Sequence, residues 1–159
     1  RRPLWNAIVA TARAPHWYAD GKVPDTLDGR FDMISLILAL VLHRIDDDPD
    51  QTLAGVQLTE LFVDDMDGQM RQIGFGDMVV GKQIGRMVGA LGGRLGVYRA
   101  PDGSDELKAA LVRNLWRGKD APDAGLAHVM AKVAQLRAGL AATSVETLIV
   151  ANHLPDPTL

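Results

Sequence analysis

Few residues in this 159-residue chain could act as nucleophiles. The sequence has no cysteine, which excludes disulfides, thiolate ligation of metals, a cysteine nucleophile and covalent attachment of c-type haem. Its serines, Ser35, Ser104 and Ser144, lie outside any G-x-S-x-G turn of the kind that presents a nucleophilic serine. We therefore expect no nucleophilic catalysis.

Histidine and aspartate spacing gives no metal motif either. The histidines are His16, His43, His128 and His153, and none has the H-x-x-x-H spacing of zinc ligands on a helix. Asp46, Asp48 and Asp50 resemble the start of an EF-hand calcium loop, but Gln51 and Gln57 stand where that loop requires Gly and Glu. We expect no metal ion and no cofactor, and we interpret the aspartates as a solvated loop.

A glycine-rich turn and a run of aspartates also have ordinary explanations. The sequence GFGD at residues 74–77 follows a predicted helix rather than a strand. This order favours a turn with Asp77 as a helix cap over a phosphate-binding loop. Asp64, Asp65 and Asp67 could act as paired carboxylates in acid–base chemistry. Because Arg71 follows Asp67 by four residues, an ion pair is the simpler interpretation.

The elements that must position these residues are helices. Apolar residues recur with the helical period of 3.6, and alternating strand patterns are missing. The longest apolar run, residues 33–42, has about half the length of a membrane-spanning helix and predicts a buried one. We expect an all-α fold: a compact bundle of six or seven helices around this central helix, over about residues 28–45, forming a single domain from 1 to 159.

Capping residues and prolines set the expected helix boundaries. The expected caps are Asp25 or Asp28, Thr52, Asp77 and Ser104, and the expected breaks or starts at proline are Pro15, Pro101 and Pro122. Met66, Met70 and Ile73 predict a short amphipathic turn of its own that ends at a left-handed Gly74.

Charge is distributed unevenly along the chain, although its net value is only −3. Residues 20–67 hold 3 basic and 12 acidic side chains, or −9, and residues 68–119 hold 9 basic and 4 acidic side chains, or +5. The basic segment could meet phosphates of lipid or RNA. Acidic residues interrupt it, so we expect no specific binding to DNA.

One predicted helix, from Asp77 to about Tyr98, carries a ladder of glycines. Gly81, Gly85, Gly89 and Gly93 recur every four residues, and each costs about 1 kcal/mol of helix stability relative to alanine. Close packing against another helix of the same bundle is the interpretation we favour. The alternative is a groove for an apolar helix of a partner, flanked by Lys82 and Arg86.

Trp17 and Tyr18 lie in a predicted polar loop before the central helix. Two interpretations remain open for them. They could close the end of the bundle, or they could be exposed anchors for another protein, where aromatic residues are enriched.

Two longer stretches, taken together, carry a family resemblance. They are HWYADGKVPDTLDGRFDM at residues 16–33 and LFVDDMDGQMRQIGFGDMVVGKQIGRM at residues 61–87, the latter followed by Gly93, Arg94 and Tyr98. With a weaker third motif at residues 113–115, this series resembles the ubiquinol–cytochrome c chaperone family, in its bacterial type. The resemblance covers about residues 13–117.

The resemblance implies a non-enzymatic assembly factor for respiratory complex III. Its client would be newly made apocytochrome b or another complex III subunit, and it implies a small partner protein and the ribosome as further partners. It places the protein in the cytoplasm, with peripheral attachment at the inner face of a bacterial membrane, or on the matrix side in a eukaryote. The candidate partner-binding residues are Trp17, Tyr18, Asp67, Arg71, Asp77, Lys82 and Arg94.

Many of these motif residues could instead be structural. Arg30, for example, can pair with Asp28 or Asp32. A second hypothesis is a helical bundle that binds a small apolar ligand such as a quinone or a lipid. A closed apolar cavity of roughly 300 Å³ or more, with convergent polar groups, would favour that ligand. An open groove would favour the chaperone.

Overall fold

The computed structural model describes residues 2–155, and their regular structure is entirely helical. The helices are α1 (Arg2–Ala12), α2 (Pro15–Ala19), α3 (Leu27–Asp46), α4 (Thr52–Gln72), α5 (Asp77–Val97), α6 (Asp105–Leu115), α7 (Asp123–Ala141) and α8 (Val145–Leu148), with a 3-10 turn at Pro49–Gln51. Six of them have eleven or more residues. The predicted all-α class is confirmed.

Helix α3 lies at the centre of the bundle. Every residue from 32 to 42 is buried, because α1, α4, α5, α6 and α7 all contact this helix. A helix that is apolar on all sides needs neighbours on all sides, so the apolar run explains its central place. None of the described helices combines the length and the apolar character needed to cross a bilayer.

The N-terminus of α3 differs from the prediction. The cap is Thr26, whose side-chain oxygen accepts a hydrogen bond from the backbone N–H of Gly29 at 3.0 Å. Asp25 does not cap the helix because Arg30 holds its carboxylate at 2.8 Å. The expected pairing of Arg30 with Asp28 or Asp32 is therefore wrong as well.

The boundaries of α4 also differ from the prediction. Thr52 is already helical, because the 3-10 turn leads directly into α4, and its hydroxyl donates to the carbonyl of Pro49 at 2.9 Å. Met66 and Met70 do not form a separate turn, since α4 continues without a break to Gln72. Gly74 adopts the predicted left-handed conformation, with φ +95°, and reverses the chain between α4 and α5.

Two other boundaries follow the sequence. Ser104 caps α6, with its side-chain oxygen accepting from Leu107 N–H at 3.1 Å, and Pro122 directly precedes α7.

An arginine of the central helix joins α3 to the end of α7. Arg44 of α3 donates to the carbonyls of Leu140 and Thr143. Cations at a helix C-terminus satisfy carbonyls that have no partner within the helix.

Candidate functional site

An apolar groove of about 620 Å³ lies between the start of α3, the end of α4 and α5. The apolar side chains that line it are Leu27, Phe31, Met66, Met70, Ile73, Phe75, Met87 and Ala90. Its polar and charged lining is Asp28, Gln69, Gln72, Gln83, Arg86, Arg94 and Arg117. Three methionines give the groove a soft lining that can adapt to differently shaped apolar occupants.

Helical spacing explains why these side chains converge. Gln83, Met87, Ala90 and Arg94 follow one another at intervals of three or four residues, so they share one face of α5. Met66, Met70 and Ile73 do the same on α4. The left-handed Gly74 between the two helices lets these faces lie side by side, with Phe31 of α3 beneath them.

The groove is open. Leu27, Ile73 and Phe75 at its mouth are 68%, 60% and 44% exposed. Large apolar side chains held in water at one place mark surfaces that bind another molecule. An open groove is the outcome that favours a protein or peptide occupant over a small ligand in a closed cavity.

A buried carboxylate supports the wall of the groove. Asp32 is fully buried on α3, and Arg117 donates to its two oxygens from Nε and Nη2 at 3.0 and 3.1 Å. Arg94 Nη1 lies 2.9 Å from Asp32 Oδ1. Burial raises the pKa of Asp32, and the two guanidinium groups oppose that shift.

This arrangement fixes two groove residues. The Arg94 guanidinium lies over the ring of Phe31, 5.3 Å from its centroid, so the carboxylate, the cation and the aromatic ring form one stack in the wall. Arg117 reaches Asp32 from a backbone with φ +52°, a conformation that side chains other than glycine rarely adopt. The bidentate bond to Asp32 offsets that strain.

A second charged cluster lies at the turn between α4 and α5. Arg71 Nε lies 2.8 Å from Asp67 Oδ1, and its Nη1 also donates to Asp77, which lowers the pKa of the Asp77 carboxyl. The predicted ion pair of Asp67 and Arg71 is confirmed. Asp77 is not a helix cap, because Gly76 occupies the cap position and the Asp77 carboxylate faces Arg71.

The glycine ladder of α5 is not covered by the described part of the chain. A Cβ atom added at any of six glycines of this helix would have nothing within 4 Å. These are Gly81, Gly85, Gly89, Gly92, Gly93 and Gly96. The expected packing against a neighbouring helix of the bundle is therefore wrong. Among the residues of α5, only Val80 and Leu91 are buried, which leaves this helix the most weakly covered of the long ones.

Trp17 and Tyr18 lie on the short helix α2, so the predicted loop is wrong. They close the end of the bundle, the first of their two interpretations. Trp17 is buried and its Nε1 donates to the carbonyl of Thr11 at 2.8 Å. The hydroxyl of half-buried Tyr18 donates to the carbonyl of Ala12 at 3.0 Å. Both bonds satisfy carbonyls at the end of α1, so these side chains fasten α2 to α1, away from the groove.

The structure thus separates the predicted partner-binding residues into groups. Arg94 lines the groove, and Asp67, Arg71 and Asp77 form the cluster at its open end. Lys82 is exposed on α5, beside the groove. Trp17 and Tyr18 lie elsewhere.

Apart from Arg94, the residues that form the groove are missing from the predicted site. Phe31, Met87 and Arg117 line it, and Asp32 supports its wall, yet none of them is among the candidate partner-binding residues. One signal could have found them: Asp32 is a charged residue inside a run of buried apolar positions, and a buried carboxylate requires a cationic partner.

No group of three or more metal-ligating side chains converges anywhere in residues 2–155. Two histidines do meet: His16 Nδ1 lies 3.0 Å from His128 Nε2, which joins α2 to α7.

The fold and the groove define a class of protein, an all-helical binding protein that offers an open apolar surface to another molecule. The chain belongs to the ubiquinol–cytochrome c chaperone family, because the sequence model of that family matches residues 19–154. The match begins at residue 19 and continues past residue 117, where the motifs end, to include α7 and α8.

A solved structure supports the same assignment. The chain resembles the Cbp3 homologue from Brucella abortus, with a TM-score of 0.82 and 32% sequence identity over 97% of this chain and 87% of that one. No curated protein matches the sequence. Family and fold both suggest a non-enzymatic, chaperone-type role connected with ubiquinol–cytochrome c reductase.

Proposed function

We propose that this protein is an assembly chaperone that holds an apolar segment of apocytochrome b, or of another complex III subunit, before that subunit is built into the complex. The open groove carries the proposal. Phe31, Met66, Met70 and Met87 give it an apolar lining. A membrane subunit outside the bilayer needs such a surface, because its apolar helices would otherwise aggregate in water.

The rim of the groove suggests how a client segment is oriented. Arg86, Arg94 and Arg117 are among its lining residues, and cations interact favourably with the C-terminal end of a helix or with acidic residues next to it. We propose that Arg94 contacts the client directly. Asp67, Arg71 and Asp77 would act by holding the turn at the open end of the groove, and Lys82 by its positive charge beside it.

The cellular setting follows from the client. A chaperone for a membrane subunit would work in the cytoplasm, next to the inner face of a bacterial membrane, or on the matrix side of a mitochondrial one. The small partner protein and the ribosome, which the family resemblance implies as partners, remain predictions.

The alternative occupant is a small apolar ligand such as a quinone or a lipid. The size of the groove would admit one. Its exposed mouth argues for a longer occupant that emerges on one side, and the same experiment separates the two.

The test is capture of the client from the native cells with the tagged protein. We expect enrichment of cytochrome b or another complex III subunit. Met87→Glu, which places a charge in the groove, should abolish this enrichment. The matched control is Val88→Glu on the same helix: Val88 is 41% exposed and does not line the groove.

Three other outcomes would count against the proposal. No enrichment of any complex III subunit by the unaltered protein would reject the function. If Val88→Glu abolishes the enrichment and Met87→Glu does not, the binding surface lies on the glycine side of α5 rather than in the groove. A bound quinone or lipid, lost with Met87→Glu and with no captured subunit, would favour the alternative. Circular dichroism of both variants checks that each remains folded.

A further inference from the structure

The turn between α4 and α5 is the most exposed apolar part of the described chain. Every residue from 71 to 79 is exposed, a segment that we call the α4–α5 tip. It includes Ile73, Phe75 and Val79, and Met78 is 90% exposed. Met78 does not line the groove, so client binding in the groove leaves this side chain in water.

Unpaired cations follow the tip along α5. Lys82 and Arg86 lie four and eight residues after Met78, so the three side chains share one face of the helix. Neither cation has an ion pair or a hydrogen bond within residues 2–155. The nearest acidic groups, Asp67 and Asp77, are both held by Arg71.

The charge of this region opposes that of the molecule. Residues 71–86 contain three basic side chains and one acidic side chain, or +2, in a chain whose net charge is −3. The remaining residues therefore carry −5. An anionic surface would attract residues 71–86 and repel the rest, which orients the molecule with the tip and the start of α5 towards that surface.

We propose that the α4–α5 tip inserts into the headgroup region of a bilayer that contains anionic lipids. Phe75 and Met78 reach the boundary of the acyl chains, and Lys82 and Arg86 bind lipid phosphates, with their aliphatic stems along the apolar surface. A bilayer is the occupant that matches both features, an apolar tip and flanking cations, without requiring a shaped partner surface.

The inference deepens the proposed function by naming the surface that brings the chaperone to the membrane. Ile73 and Phe75 belong to both the tip and the mouth of the groove. A tip at the bilayer therefore places the mouth of the groove next to the headgroups, where an apolar client segment would enter or leave the membrane.

The test uses purified protein without client and vesicles of phosphatidylcholine, with or without phosphatidylglycerol, separated by flotation. We expect binding to the anionic vesicles that weakens as salt is added. Lys82→Gln and Arg86→Gln should each lower the partition coefficient about 5-fold. Met78→Glu should lower it at least about 10-fold, because it replaces an inserted apolar side chain by a charge.

Matched controls come from parts of the chain outside the tip. Leu53→Glu changes another exposed apolar residue, 64% exposed, in the first turn of α4, roughly 30 Å from the tip. Lys108→Gln removes a cation from the start of α6. Neither should change the partition coefficient.

The proposal is overturned if the unaltered protein does not bind the anionic vesicles, or if the two controls lower binding as much as the tip variants. It is also overturned if Met78→Glu leaves vesicle binding intact but abolishes client capture in detergent extracts, since the tip would then bind protein. Vesicle binding without any capture of a complex III subunit would reject the proposed client and retain the membrane surface.

Discussion

Asp32 and Arg117 are joined by two hydrogen bonds, at 3.0 and 3.1 Å, across a sequence separation of 85 residues. The bond links the central helix α3 to the segment that follows α6. Because Arg94 of α5 lies against the same carboxylate, three parts of the chain meet at one buried charge. The wall of the groove depends on this contact, so the stability of the fold and the shape of the groove are coupled there.

Asp32→Asn tests that coupling. The substitution removes the negative charge of Asp32 and leaves the almost buried Arg94 without a compensating charge. Removing one member of a buried ion pair costs about 3 kcal/mol or more. We expect the free energy of unfolding in urea to fall by about 3 kcal/mol. Asp28→Asn is the control: Asp28 lies 3.6 Å from Arg117 and is exposed, so it should change stability by less than about 1 kcal/mol. Equal effects of the two changes would contradict the assigned role of Asp32.

Stability should depend on the protonation of His43. Burial lowers the pKa of this imidazole below its usual 6.5, and its Nε2 lies 2.7 Å from the carbonyl oxygen of Leu95. As the pH falls through 6.5, His43 becomes protonated in the unfolded chain while it is still neutral in the folded protein. The free energy of unfolding therefore decreases. The loss should stop once the pH is below the folded pKa.

His43→Gln keeps a donor for the Leu95 carbonyl but does not titrate. Urea unfolding at pH values between 7.5 and 5 should therefore show a smaller loss of stability on acidification for the variant than for the unaltered protein. An identical pH dependence would show that groups other than His43 account for all of it.

Alanine in the glycine ladder should stabilise the protein. A Cβ at Gly85 or Gly89 would meet nothing within 4 Å, so Gly85→Ala and Gly89→Ala should each add up to about 1 kcal/mol, seen as a higher Tm. At Gly29 a Cβ would lie 1.8 Å from the carbonyl oxygen of Pro24, and Gly29→Ala should destabilise. A lower Tm for the two ladder variants would mean that this face is covered after all.

Trp17→Phe should separate structure from partner binding. The change removes the donor to the Thr11 carbonyl, which costs about 1–2 kcal/mol when the acceptor is left buried. Capture of a complex III subunit should be unchanged, because Trp17 is buried away from the groove. Reduced capture at a temperature where the variant is fully folded would contradict this expectation and indicate that Trp17 contacts the client directly.

Much of the fold could be predicted from local sequence. The apolar run at residues 33–42 identifies the central helix because no surface helix is apolar on all sides. Ser104 caps a helix and Gly74 adopts the left-handed conformation after one, as their chemistry predicts. The two wrong aspartate caps share a physical cause. Asp25 and Asp77 have the right chemistry for caps, but Arg30 and Arg71 hold their carboxylates in ion pairs instead.

The groove could be predicted only in part. Its motif residues are visible in the sequence, but which side of α5 faces α3 and α4 depends on contacts between distant segments, such as that of Arg117 with Asp32. For the same reason, spacing alone assigned the glycine ladder to a buried contact. The ladder is open because the neighbours of α5 all lie on its other side.

Site-specific photocrosslinking in the native cells tests the central claim most directly. A photoreactive residue at Met87, inside the groove, should crosslink to a transmembrane segment of cytochrome b or of another complex III subunit. The same residue at Val150, exposed beyond α8, should give no such product. The account is contradicted if Met87 yields no complex III subunit, or if Val150 yields the same product in equal amount.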